Sequence, residues 1–489
     1  MRSAATAAGI DRVPVVIQGG MGVGVSGWRL AGAVARSGGL GVVSGVAPEL
    51  LLTRGLQDGD VDGHLRRAVA AYPDPEFAAS TLERYFRPEG RPAGRPYRPF
   101  PKLDLHQKIE AVRLVALGAF AQVWLAKHGH RGVVGINLLE KVQMWTPATL
   151  LGAMIAGVDV VLVGAGVPSR LPRLLDCLAA GEQVSLPVDV EGAPADDHHV
   201  ISLDPRRVLN RDDVTLERPT FLAIVSTHVL AAYLQRDEAT AADGFVVEGF
   251  TAGGHNAPPR RREVDASGQT LYGDRDRVDV GKMAALGVPF WLAGGYGTPA
   301  HVAEAIAEGA RGVQIGTPFA LSRESGLRPE LRQQMLDGIA DGSAQVRTDP
   351  LASPTGFPFK VFQAAGTVAD LPDGAQRERL CDLGYLRTPY ARAGSGSASD
   401  SGVGYRCPAE PVEAYLRKGG VAQDTVGRMC LCNGLSAAIG LGQTTRDGGT
   451  EPALLTLGAD LEAVRGLLAR FPGGWSASDV VQWVTPPAS

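Results

Sequence analysis

The sequence predicts an α/β protein built on a (β/α)8 TIM barrel, with an inserted arm and a C-terminal helical extension. Three observations lead there. Between residues 12 and 346, short β-branched runs that end in Gly, Asn or a polar residue alternate with longer segments rich in Ala and Leu. That rhythm implies parallel βαβ units. Eight such runs are present, the number that closes a barrel, and the rhythm stops near residue 347.

The strands are expected at 13–18, 40–44, 132–137, 158–163, 220–226, 244–248, 290–293 and 312–316. Helices are expected between them, clearest at 108–127, 147–156, 170–180 and 299–308, where apolar residues recur at three- and four-residue steps. Ser26 ahead of Trp28, and Thr298 followed by Pro299, read as helix starts, a capping hydroxyl and a first-turn proline. No repeat of fixed length is present, which sets a solenoid aside.

Two insertions interrupt the barrel. The segment 72–105 is rich in Pro, Arg and aromatics, which disfavours helix and central strand and suggests an ordered arm or lid. The segment 185–208 alternates apolar and polar residues around Asp196, Asp197, His198 and His199, a hairpin with a solvated tip. The extension, 347–489, is expected to be mostly helical, with helices at 412–417, 426–438, 461–468 and 477–484 and a flexible Gly/Ser loop at 393–403.

Composition narrows the partners. With 45% apolar residues, 489 residues suffice for at least one large core. Lys plus Arg number 48 against 52 Asp plus Glu, a formal charge of −4 that offers no broad basic field to nucleic acid or anionic lipid. A small molecule is the expected partner, and a homodimer is left open. The first residues lack the basic start and apolar run of a signal peptide, and no stretch approaches roughly 18 consecutive apolar residues. A cytoplasmic protein away from the membrane is therefore expected. Five cysteines are too few for a secreted disulfide framework.

The residues that carry chemistry sit at strand ends. After the first strand, Gln18-Gly19-Gly20-Met21-Gly22-Val23-Gly24-Val25-Ser26-Gly27 contains a literal G-x-G-x-x-G at Gly22, Gly24 and Gly27. Alone it would suggest a dinucleotide site, but the acidic residue expected after the next strand is represented only by Glu49. The alternative is that glycines let backbone approach a flat ring at the barrel mouth. The sixth strand ends Glu248-Gly249-Phe250-Thr251-Ala252-Gly253-Gly254-His255. An imidazole at the C-terminal face of a barrel is placed to move a proton near neutral pH; the bland reading is a loop histidine bonded to its own turn. The seventh strand ends Ala293-Gly294-Gly295-Tyr296-Gly297 and the eighth Gln314-Ile315-Gly316-Thr317. Backbone N–H groups and a hydroxyl after those two strands are the donors from which barrels build a phosphate cradle.

In this order, with Gly135-Ile136-Asn137 after the first cluster, these motifs resemble the nitronate monooxygenase (2-nitropropane dioxygenase-like) superfamily, which also holds FMN-dependent enoyl reductases of polyunsaturated fatty-acid and polyketide synthases. The resemblance spans residues 13 to about 328, and the tail motifs Cys381-Asp382-Leu383-Gly384-Tyr385-Leu386 and Gly427-Arg428-Met429-Cys430-Leu431-Cys432-Asn433-Gly434 resemble its longer bacterial members. It implies FMN in the barrel mouth: Gly20 and Met21 offering backbone to the ring, Asn137 a side-chain contact, and Gly253, Gly254, Gly294, Gly295, Gln314, Gly316 and Thr317 the surround of the ribityl phosphate. His255 would be the catalytic base or acid. Glu248 stands where nitronate monooxygenases often have Gln and the enoyl reductases often Glu. A carboxylate there needs a cation or donors to offset its charge, and Lys141 is the candidate.

The leading activity is oxidation of alkyl nitronates or related carbon acids with O2. The runner-up is NAD(P)H-dependent reduction of an enoyl thioester, and a non-catalytic flavin- or phosphate-binding scaffold is the rival of another class. Cys381, Cys407, Cys430 and Cys432 could hold zinc, but their spacing lacks paired CxxC knuckles, so buried reduced thiols are the simpler reading and no metal is expected. Asp58-Gly59-Asp60-Val61-Asp62-Gly63 begins like a calcium loop, yet Val69 stands where the bidentate Glu belongs, leaving a helix lead-in. Adjacent residues in Asp196–His199 point to opposite faces and make a poor metal site.

Overall fold

The computed structural model describes residues 9–370, 379–392 and 402–485. Its strands in chain order begin with β1 (Val16–Gln18), β2 (Gly41–Ser44), β3 (Val134–Leu139) and β4 (Val160–Gly164). An antiparallel hairpin, β5 (Val184–Pro187) with β6 (Val200–Leu203), follows, and then β7 (Thr220–Val225), β8 (Gly244–Glu248), β9 (Phe290–Ala293) and β10 (Gly312–Ile315). Eight of these form one parallel sheet in the order β1-β10-β9-β8-β7-β4-β3-β2. The two ends meet where Ile17 bridges Leu40, with the Gln18 N–H donating to the Leu40 carbonyl and the Leu40 N–H to that of Val16, each at 2.9 Å. The sheet is therefore a closed (β/α)8 barrel. Each strand lies within a few residues of its expected span.

Closure explains the sequence pattern. Ile17, Leu40, Val42, Leu162, Leu222, Val246 and Trp291 form one buried cluster, and the alternate residues Val16, Val43, Val161, Phe245 and Val247 belong to another, shared with the surrounding helices. Both faces of each strand are dry, so the strands read as unbroken apolar runs rather than alternating ones.

The helices run close to expectation: Ile109–Lys127, Thr146–Ile155, Leu171–Ala179 and Pro299–Ala307. The Thr298 hydroxyl accepts from the His301 N–H at 3.2 Å, a conventional cap. Ser26 does not cap. Gly27 occupies the N-cap of Trp28–Arg36 without a side-chain bond, and Ser26 Oγ accepts from the Met21 N–H at 2.7 Å. The 19-residue helix Ile109–Lys127 is the one described helix long and apolar enough to cross a membrane, and it packs against Pro48–Gln57 and Thr146–Ile155 with most of its surface buried.

The arm departs from expectation, because it contains the helix Pro75–Tyr85. Its prolines fall where they do no harm: Pro75 occupies the first turn, the Asp74 carboxylate accepts from the Phe77 N–H at 3.0 Å, and no proline recurs before Pro88. Nearby, Asp60 accepts from the N–H groups of Leu65 (3.0 Å) and Arg66 (2.9 Å) ahead of the helix His64–Ala70, so the acidic run is a helix lead-in.

The extension is less helical than its periodicity suggests. It holds two antiparallel hairpins, β11 (Val346–Asp349) with β12 (Phe359–Phe362) and β13 (Thr388–Ala391) with β14 (Val403–Arg406). Its helices are Val412–Arg417, Leu431–Ala438, Glu462–Arg470 and Ala477–Val484. The second starts later than the pattern suggests because Gly427, at φ +70°, turns the chain away from a helical path. Of the expected flexible loop 393–403, only Gly402 and Val403 are described, the latter in β14; the rest lies outside the described residues. The extension shares the barrel's core and has a small cluster of its own: Val464, Trp475 and Val480 join the same apolar cluster as Val43 and Ile136 of the barrel wall, while Ala352, Phe359, Val361, Val368, Leu431 and Leu454 pack among themselves.

Candidate active site

At the C-terminal ends of the strands lies a cavity with room for the centres of water molecules over about 260 Å³, against the roughly 10–15 Å³ that one trapped water needs. All twelve residues singled out from the sequence line it, brought from the ends of β1, β3, β8, β9 and β10. The shared location follows from topology, since every parallel strand of a barrel points its C-terminal end at one rim. A dinucleotide site of the open-sheet kind is excluded, because the sheet closes and has no switch-point crevice.

The first glycine loop is shaped by its own packing. A Cβ on Gly20 would stand 2.3 Å from the Asn137 Cβ, so glycine here lets Asn137 cross over it into the cavity. Gly22 and Gly24 hold positive φ, +54° and +67°, in the turn. The Met21 backbone, expected to face a ring, is already engaged: Ser26 Oγ takes its N–H, and its carbonyl accepts from the Ser26 N–H at 3.2 Å. Met21 contributes its side chain instead, with Sδ 3.6 Å from where a Gly316 Cβ would lie. Two buried amide oxygens on this wall, Asn137 Oδ1 and Gln314 Oε1, have no hydrogen-bond partner. Unpaired buried amides are costly, and their usual meaning is a group that completes them.

The end of β8 carries the titratable pair. Burial alone raises the Glu248 carboxyl to about 7. Lys141, expected as its countercharge, is elsewhere: its ammonium sits 3.9 Å above the Phe357 ring and 3.4 Å from the Thr355 hydroxyl. In the barrel β3 and β8 are separated by β4 and β7, so nearness of Lys141 to Asn137 in sequence did not carry it to Glu248. His255 is held by the extension rather than by its own turn. Its Nε2 lies 2.7 Å from Ser353 Oγ, its ring meets Phe359 edge-on at 4.9 Å, and the Lys360 N–H donates to the Gly254 carbonyl at 2.9 Å. Burial, helped by the charge of Lys141, pushes the imidazole down to about 3. His255 is thus a neutral base whose protonated form is strongly disfavoured.

At the other end of the cavity, Gly294 and Gly295 take positive φ, +87° and +92°, beside Gly316. The N–H groups of these three residues make no hydrogen bond to another described residue. Successive free N–H groups in such a turn form an anion-binding concavity. Here the sequence reading missed a contributor. Residues 456–460 of the extension cross the ends of β8, β9 and β10: Thr456 Oγ1 accepts from the Gly254 N–H (2.9 Å), the Ala459 N–H donates to the Thr251 carbonyl (2.8 Å), and the Gly458 N–H donates to Thr317 Oγ1 (3.0 Å). The Gly253 position would bring a Cβ to 2.9 Å from the Leu457 carbonyl carbon, so that glycine serves this crossing. Its only trace in the sequence is the short apolar run Ala453-Leu454-Leu455, which has no period to read.

A second buried group also went unread. Trp145 Nε1 and Tyr385 Oη each donate to Glu49 Oε1 at 2.8 Å, and burial raises the Glu49 carboxyl to about 7. Tyr385, from the extension, lines the cavity. Cys407 and Cys430 are buried, Cys432 packs against them, and none of the five cysteines is in a disulfide. Burial raises the Cys381 thiol to about 11 and raises that of Cys407, and the contact with Cys430 raises that of Cys432. Among the described residues no group of three or more His, Cys, Asp or Glu side chains is arranged to hold a metal ion. Asp196–His199 lies at the exposed hairpin tip, where His199 faces Asp197 at 3.3 Å.

Known proteins are similar to parts of this chain. Residues 198–347, which carry Glu248, His255 and the ends of β9 and β10, match the family model described as nitronate monooxygenase. The nitronate monooxygenase of Pseudomonas aeruginosa is 34% identical over 139 residues, 28% of this chain and 38% of that protein, so the match spans well under half of the relative's length. Among solved structures, FabK from Thermotoga maritima is similar at 15% identity, with 99% of this chain and 95% of that one covered and a TM-score of 0.47. A nitroalkane oxidase from Streptomyces ansochromogenes is similar at 18% identity, 99% and 96% coverage and a TM-score of 0.43.

Proposed function

We propose that this chain, whose matches support the nitronate monooxygenase superfamily, is a cytoplasmic flavin-dependent oxidoreductase that holds FMN in the barrel mouth and oxidises alkyl nitronates or related carbon acids with O2. One observation carries the reading: a single cavity joins free backbone donors at Gly294, Gly295 and Gly316 to the unpartnered amides of Asn137 and Gln314 and to a neutral His255.

Those groups fit a flavin. The glycine concavity suits a phosphate, and the two amides suit the donor and acceptor edge of a ring system, whichever way each amide is turned. Bound FMN would supply the two-electron chemistry that no side chain here offers. The protein supplies the rest. The segment 456–460 closes the phosphate end, and the apolar side chains of Leu386, Leu431 and Leu435 exclude water from one wall. His255, uncharged, is set to take a proton from the carbon of a neutral acid such as a nitroalkane.

Glu248 favours a second reading. A carboxyl that titrates near 7 without a cation can donate a proton, which suits reduction of an enoyl thioester by NAD(P)H. The deciding experiment mixes the purified, flavin-loaded protein anaerobically with a nitronate and, separately, with NAD(P)H. Loss of flavin absorbance with the nitronate alone supports the first reading, and loss with the nucleotide alone the second. A protein that neither carries nor takes up FMN would overturn both and leave a scaffold role.

A further inference from the structure

We propose that Ser353, Thr355 and Lys141 form a proton relay that carries the proton taken by His255 out of the cavity to solvent. The proposal rests on the reading that the cavity binds a carbon acid, and it assigns work to three side chains outside the strand end that bears the histidine.

The geometry is continuous. From the imidazole, Nε2 lies 2.7 Å from Ser353 Oγ; Ser353 Oγ lies 2.8 Å from Thr355 Oγ1; Thr355 Oγ1 lies 3.4 Å from Lys141 Nζ. A longer contact of 3.5 Å joins Thr355 Oγ1 directly to Nε2. Ser353 is fully buried, and its Oγ also accepts the Thr355 N–H at 3.2 Å, which leaves its one proton free to point at Thr355. Lys141 is only partly buried, so the chain ends where water can reach.

A base that discourages its own protonation needs such an outlet. Burial, the larger cause, holds the imidazole well below its usual range even with Lys141 as the free amine that the relay needs, so a proton arriving at Nδ1 is unstable there unless Nε2 releases one. With Nε2–H directed at Ser353, the transfer balances. The substrate C–H gives its proton to Nδ1 and keeps the electron pair, and Nε2–H passes to Ser353 Oγ. The serine proton then passes to Thr355 Oγ1 and the threonine proton to the amine of Lys141. The lysine is suited to receive it: burial lowers its ammonium to about 8, against the opposing charge of Glu140. The charged and titratable groups around the relay include Glu140, which Arg170 and Asp189 face in turn, Arg428, whose guanidinium donates to the Ser353 carbonyl at 2.5 Å, and His255 itself. Fixing the imidazole ring would need only the bond to Ser353. A second hydroxyl and an amine in line are what a conduit adds.

Two measurements test this on the full-length, flavin-loaded protein. The first follows exchange of the His255 Nε2 proton with solvent by NMR after selective histidine labelling, and needs no substrate. Exchange in the unaltered protein should speed up as pH rises past about 8; Lys141→Met and Thr355→Val should slow it at least about tenfold, while Thr355→Ser restores it. Equal exchange in all four proteins would overturn the relay, whatever the substrate. The second compares nitroethane with its preformed nitronate. The Lys141→Met loss should be about tenfold greater with the neutral acid, which must surrender a proton, than with the anion. Equal losses would also overturn the relay. Fast, pH-dependent exchange in a protein that turns over neither compound would instead reject the carbon-acid reading and leave the relay standing.

Discussion

Gly458 donates its backbone N–H to the hydroxyl of Thr317, 141 residues earlier, at 3.0 Å. Through that bond the extension is tied to the chain just past the last barrel strand, at the end of the cavity lined by Gly294, Gly295 and Gly316. Thr317→Val keeps the side-chain shape and removes the acceptor, leaving the buried Gly458 N–H unpaired at a cost of about 1–3 kcal/mol. The expected result is faster amide exchange at residues 456–460 and, on the proposed reading of the cavity, weaker retention of flavin on dilution. Unchanged exchange there would show that the crossing is held by its other contacts.

How far the site was legible follows from the range of each signal. Gly294, Gly316, Asn137 and His255 were readable because each stands at the end of a strand, and a closed barrel sends all strand ends to one rim. The partners that complete the site were not. Ser353 reaches His255 across 98 residues, and Tyr385 reaches Glu49 across 336, through contacts that leave no periodic trace. Lys141 misled for the same reason, since closeness in sequence to Asn137 said nothing about the two strands between β3 and β8. The arm helix Pro75–Tyr85 was hidden by composition: counting prolines missed that they bracket the helix instead of interrupting it.

The extension packs into the barrel core as well as across the cavity. Trp475 is fully buried, and its Nε1 donates to the Pro318 carbonyl at 2.8 Å, just past β10. Trp475→Ala should destabilise the protein by about 3–5 kcal/mol, the usual range for a buried Trp reduced to Ala. Urea unfolding reads this directly. A loss below about 1 kcal/mol would mean that the C-terminal helices pack too loosely to share the barrel core.

Gly20 tests the proposal that a flavin ring lies beside Asn137. Alanine there would set its Cβ 2.3 Å from that of Asn137, a clash between short, stiff groups that forces Asn137 off its position. Gly20→Ala is expected to lower the flavin-to-protein absorbance ratio at least as much as Asn137→Ala does. The double variant regains space but not the amide, and should resemble Asn137→Ala. Full flavin content in Gly20→Ala would show that the amide of Asn137 is not what holds the ring.

The cavity carboxylates set the pH dependence of stability without flavin. Glu248 has a folded-state value raised from 4.5 to about 7 by burial, with no charge or hydrogen bond to offset it. Below about pH 4.5 the group is protonated whether the chain is folded or not, and its contribution is at its best. As pH climbs toward 7 the unfolded chain ionises freely while the folded one resists, so stability falls. Above about 7 both states are ionised and the loss is complete, at most about 3 kcal/mol and less because the carboxyl opens onto the cavity. Glu49, also raised to about 7, acts in the same direction. His255, held down from 6.5 to about 3 chiefly by burial, acts the other way, because below 6.5 the unfolded imidazole takes a proton that the folded one resists. The two carboxylates together outweigh it, so urea unfolding of the flavin-free protein should show lower stability at pH 8 than at pH 5, and Glu248→Gln should remove part of that difference. If the variant kept the whole difference, the Glu248 carboxyl would have to be solvated well enough to titrate as it does in water, and the case for it as a proton donor in the cavity would fall with that result.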